Sequence, residues 1–207
     1  MNIEKLRTAE AQFLQRYPGG FLHPDMQALA KKHKMDKQIK FAQSAFAQEK
    51  VQDMLPYCEN MVKAVSRSSM VSMFEKPKFR DFVYAADEAN KLDLVVGLNK
   101  FLHGDQQQGF ELLLSVLKPA KLAKWSLLTV IPNYYHPDTE VFIKPTTAKG
   151  VIDFFELKDL HYKPQPTWAF YEDYRNRILD MKALVDPEIA PSNAAFCGFL
   201  MMSLKGP

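Results

Sequence analysis

Apolar residues recur three and four positions apart through most of this chain, and the repeat lapses in one stretch, residues 125–168. A chain patterned this way folds as helices that each bury one face against the others. The C-terminal third is the clearest case. Thr167 is placed to cap a helix whose apolar face is Tyr171, Tyr174, Ile178, Met181 and Val185, while Glu172, Asp173, Arg175, Arg177, Asp180 and Lys182 take the solvated face. Pro187 and Pro191 end that helix, and Ser192 or Asn193 caps a last one over 194–202. This last helix is apolar nearly all round, so it belongs in the middle of the fold or at a dimer interface.

The same signals run from the start of the chain. Asn2 caps a helix carrying Ile3, Leu6, Ala9, Phe13 and Leu14, and Tyr17-Pro18-Gly19-Gly20 turns it off near Arg16. Pro24 suits the first position of a second helix, and Asp36 is placed to cap a third containing Ile39, Ala42 and Phe46. Further helices are expected over 56–67, from Pro77 through Ala86, onward from Asp87 to His103, and from Asp105 until Pro119 stops it. His103-Gly104-Asp105 invites a catalytic His–Asp pair, but a dipole-favoured C-terminal histidine followed by an N-cap aspartate explains both residues. The pattern predicts a mainly α, single-domain, bundle-like fold of about nine helices over 1–207, with a subdivision near 119–132 left open.

The lapse at 125–168 admits two accounts. Trp125–Ile131 reads as a buried strand or as the last turns of a helix begun near Ala120, and Pro132 is expected to end it either way. Val141–Ile143 is also β-like, so the centre holds at most a small hairpin around 133–139, which needs helices packed on it. Thr146 or Thr147 is placed to cap the next helix. Pro132, Pro137 and Pro145 stiffen the connection.

Composition narrows the functional classes. With 47% hydrophobic and 25% charged residues among 207, the chain has the make-up of a globular protein, and a net charge of +3 permits but does not demand an anionic partner. Cys58 and Cys197 lie far apart in apolar surroundings, as expected of buried thiols in a reducing compartment. There is no CxxC, HExxH or GxSxG, and no metal or cofactor is expected. Met1-Asn2-Ile3-Glu4-Lys5 lacks a signal-like apolar region, and no run is long enough to cross a bilayer. A cytoplasmic location with no membrane partner is the expectation.

Two places in the chain merit functional attention. The central stretch gathers His136, Asp138, Lys144 and Lys149 between prolines and aromatics, and these four form a polar binding site if they converge on a cavity. The densest basic run is Lys31, Lys32 and Lys34 with Lys37 and Lys40, a candidate nucleic-acid contact that a solvated helix junction also explains. Pro137-Asp138 with Glu156-x-Lys158 has the order of the PD-(D/E)xK nucleases, in which two carboxylates hold Mg²⁺, but that motif belongs on adjacent strands. His136 and His161 are further acid–base candidates.

Pro137-Asp138, Phe142-x-Lys144-Pro145-Thr146, Lys149 and Pro164-x-Pro166-x-Trp168, together with Tyr17-Pro18-Gly19-Gly20-Phe21, resemble an uncharacterised group of bacterial proteins of about this size. The resemblance covers about a third of the chain. It implies a bacterial cytoplasmic protein and emphasises Asp138, Lys144 and Lys149 without giving them roles. The sequence thus points to a non-enzymatic binding or interaction module, acting on a protein partner or as a homodimer. A nucleic-acid-binding protein using 31–40 and a Mg-dependent nuclease are the alternatives.

Overall fold

Five helices begin in the same way. Asn2, Asp87, Asp105, Thr167 and Ser192 each accept, through the side chain, the backbone N–H of the residue three positions on. The computed structural model describes Met1–Leu204, and those residues contain helices and loops without a strand. The helices are α1 (Ile3–Arg16), α2 (Pro24–His33), α3 (Met35–Ala45), α4 (Met54–Arg67), α5 (Glu75–Ala85), α6 (Glu88–His103), α7 (Gln106–Leu117), α8 (Trp125–Tyr135), α9 (Pro145–Phe154), α10 (Trp168–Lys182) and α11 (Asn193–Ser203). Three short 3₁₀ turns join them.

The helical class expected from periodicity is what the structure has, with eleven α-helices among the described residues rather than about nine. One added helix is α8. It runs straight through Pro132 to Tyr135, and residues 125–134 are all buried. A helix buried on every side has no polar face, which is why its periodicity is ambiguous. It is also a geometry that satisfies most of its backbone polar groups internally, and this tertiary demand outweighs the N–H that Pro132 lacks.

No hairpin forms at the centre. The backbone of 140–143 instead bonds to side chains: Ile143 N–H donates to Thr129 Oγ1 at 3.0 Å, and Asn193 Nδ2 donates to the Glu140 carbonyl at 3.0 Å. Thr129 Oγ1 in turn donates to Trp125 O at 2.7 Å. With its backbone partners supplied by neighbouring helices, this extended segment needs no second strand.

Two boundaries also differ from expectation. α3 begins at Met35, because Lys34 adopts a left-handed conformation (φ 54°) and its N–H closes the end of α2; Asp36 lies inside the first turn. α9 begins at Pro145, whose fixed φ suits a first helical position, ahead of both threonines. The Gly19-Gly20 turn is as expected, with φ of 81° and 58°.

The buried apolar side chains from Leu6 to Leu200 form one hydrophobic cluster. α11 lies within it against α1, α9 and α10, with Phe196, Phe199 and Leu200 fully buried. α6 and α7 pack most closely. A Cβ at Gly109 would fall on the Phe101 amide nitrogen and 2.6 Å from the Gly97 carbonyl oxygen. Gly109→Ala must therefore move helix backbone, and a loss of about 1–3 kcal/mol in urea unfolding is expected, since overpacking usually costs that much.

Candidate functional site

The four polar residues of the central stretch do not bond to one another. His136 Nε2 lies 2.9 Å from the Leu102 carbonyl, a pure acceptor, so Nε2–H is the donor. Asp138 is exposed and faces Lys182 at 3.7 Å. Lys149 lies over the Tyr162 ring at 5.0 Å. Lys144 is an exposed helix-cap residue with no ion pair among the described residues. A depression of about 330 Å³ elsewhere on the molecule is lined by Phe41, Ser44, Lys50, Asp53, Tyr57 and Asn60 among others, and none of the four contributes to it.

What organises the loop is Glu140, a carboxylate only 2% exposed that sequence reasoning passed over. Tyr171 Oη donates to it at 2.6 Å, Gln106 Nε2 at 2.9 Å and Arg175 Nη1 at 3.0 Å. Arg175 also donates to Gln106 Oε1 at 2.8 Å, and its guanidinium lies 5.5 Å from the ring centres of both Trp168 and Tyr171. Burial and the Glu140 charge hold the Tyr171 phenol well above its ordinary pKa, which keeps it a donor. The network extends outward through Lys182, which donates to Asn193 Oδ1 at 3.0 Å and reaches Asp138. The only local hint was that Glu140 directly precedes the apolar run Val141-Phe142-Ile143 and would be drawn inward with it, and a buried carboxylate requires paired donors.

The carboxylates of the nuclease pattern are held apart by different partners. Glu156 pairs with Lys5 at 2.9 Å and accepts from Asn2, and these two contacts hold its pKa below the usual carboxylate range. Asp138 is on Lys182, and no strand is present among the described residues to carry either. No group of three His, Cys, Asp or Glu among those residues is placed to hold a metal. Both thiols are shifted away from reactivity: burial raises Cys58 and pushes Cys197 up to about 12. His103 Nε2 faces the Phe46 carbonyl at 2.9 Å, as expected of a packing histidine.

The basic cluster has a different character. Lys31, Lys32, Lys34, Lys37 and Lys40 are all exposed, and none takes part in an ion pair among the described residues. His33 Nδ1, inside the cluster, lies 2.7 Å from Ser69 Oγ, and Gln38 Nε2 donates to the Arg67 carbonyl at 3.1 Å. These bonds fix the cluster against the end of α4. Comparison with protein-family models, curated proteins and solved structures finds no match for this chain. No helix among the described residues is long and apolar enough to cross a membrane.

Proposed function

We propose that this protein is a non-enzymatic binding module of the bacterial cytoplasm whose contact surface is the lysine face formed by α2 and α3. The observation that carries the proposal is that Lys31, Lys32, Lys34, Lys37 and Lys40 stand in solvent without acidic partners, held on a junction fastened to α4. Like charges left unpaired on one face repel each other and gain only when an anionic surface approaches. Supporting the binding role, His103 and His136 are held in packing contacts, Cys58 is buried and the thiol of part-buried Cys197 is shifted away from reactivity, whereas His161 is exposed.

A nucleic-acid phosphate backbone is one anionic partner that fits. The test is fluorescence anisotropy with a labelled oligonucleotide over a salt series. Affinity should fall steeply with salt, and Lys31→Glu/Lys32→Glu should weaken it at least tenfold while reducing the salt slope by about one for each phosphate no longer neutralised. Binding indifferent to salt and to these changes would remove the lysine face from the contact.

A further inference from the structure

Met73 and Phe74 are the most exposed large apolar side chains of the described residues, at 80% and 81%. They are adjacent, at the end of the connection from α4 to α5, and project as a pair. Isolated exposed apolar residues are ordinary on protein surfaces, whereas a projecting pair raises the question of what covers it. Their surroundings answer it. On one side, the His33–Ser69 bond fastens the Lys31–Lys34 turn to this same connection. On the other, Ser126 Oγ donates to Glu75 Oε2 at 2.7 Å, which places the residue after Phe74 beside the start of α8 and its exposed cap residue Lys124. Lys76 and Lys78 follow in the first turn of α5, and neither they nor Lys124 joins an ion pair among the described residues. Among the acids on these elements, Glu75 is bonded to Ser126, Asp81 pairs with Arg80, and Asp36 is exposed in the first turn of α3.

We infer that this face docks peripherally on an anionic lipid surface, with Met73 and Phe74 entering the headgroup–acyl boundary and the flanking lysines meeting lipid phosphates. Binding to a membrane surface strengthens with the apolar area inserted and with attraction to anionic lipid. Here an exposed apolar pair is followed in the chain by Lys76 and Lys78 and lies on the connection to which the Lys31–Lys34 turn is bonded. A nucleic acid accounts for the lysines and could stack a base on Phe74, but gives Met73 no role; a lipid interface accounts for all of them. The inference rests on the lysine-face proposal above and names its partner. It revises the sequence expectation of no membrane partner, which concerned spanning segments.

Flotation of the full chain with vesicles of phosphatidylcholine alone, or of phosphatidylcholine with phosphatidylglycerol, tests it. The wild type should float with the anionic vesicles and not with the neutral ones. Met73→Ser/Phe74→Ser should reduce the partition coefficient at least about tenfold, equivalent to ~1.4 kcal/mol, and Lys31→Glu/Lys32→Glu should abolish flotation. All four positions are surface-exposed, and circular dichroism confirms that the variants remain folded. Flotation unchanged by Met73→Ser/Phe74→Ser overturns the inference. So does salt-sensitive oligonucleotide binding by a wild type that floats with neither vesicle, although the lysine face then stands. A wild type that binds neither vesicles nor oligonucleotide overturns both proposals.

Discussion

Glu140→Ala should lower the unfolding free energy by about 3–5 kcal/mol, the usual cost of removing one partner from a buried ion pair. The loss is large because Gln106, Tyr171 and Arg175 would lose the carboxylate they share, leaving the largely buried Arg175 cation with the neutral Gln106 Oε1 in place of a counter-charge. Arg175→Ala should cost a comparable amount for the mirrored reason, since the Glu140 carboxylate would remain buried with only two neutral donors. Replacing both, as Glu140→Leu/Arg175→Met, should cost clearly less than the sum, because no uncompensated charge is left behind. Urea unfolding of the two single variants and the double gives the coupling energy directly. Strict additivity would show that Glu140 and Arg175 are not energetically coupled and would overturn the ion-pair account. The Glu140 change should also loosen the 136–143 segment, whose local hydrogen exchange is a second readout.

The second large effect is expected at Trp125. Its side chain is 1% exposed, packs with Phe110 and Phe170 at ring distances of 6.3 and 5.2 Å, and donates from Nε1 to the Lys163 carbonyl at 2.9 Å. Trp125→Ala should cost about 3–5 kcal/mol through the cavity it opens. Against a typical total stability of roughly 5–15 kcal/mol, that is a large share, and at the low end of the range it would leave much of the population unfolded. Trp125→Phe separates the two contributions: it retains most of the packing but leaves the Lys163 carbonyl without its donor, a smaller loss of about 1–3 kcal/mol. Thermal melts of the two variants should therefore rank wild type, Phe, then Ala. A Phe variant as damaged as the Ala variant would mean that the hydrogen bond outweighs the packing.

Both residues lie in the stretch where helical periodicity lapses, and the reasons are physical. Trp125 begins a helix with no solvated side, so its surroundings could not be read from a pattern of alternating faces. Glu140 gains its partners from Gln106, Tyr171 and Arg175, which lie 34, 31 and 35 positions away. Contacts at that separation leave no local signature. The lysine cluster is different: consecutive charges on helix ends are visible in the sequence because solvent exposure is the default for lysine. What the sequence did not carry was that the lysine turn would be bonded to the connection that ends in Met73 and Phe74, or that the start of α5 would be bonded to α8. Those links are one hydrogen bond between His33 and Ser69 and another from Ser126 to Glu75.

By itself, then, the amino-acid order determined the helical class, the caps at Asn2, Asp105 and Thr167, the Gly-Gly turn and the exposure of the basic run, because each arises from interactions within a few residues. Tertiary structure decided the rest. It carried α8 through a proline, replaced a hairpin with side-chain partners, gave His136, Asp138 and Lys149 separate neighbours while leaving Lys144 exposed, and buried Glu140 among donors from distant helices. Local propensities differ by less than about 1 kcal/mol per ordinary residue, whereas burying a large side chain or satisfying a buried charge is worth several, so packing prevails where the two disagree.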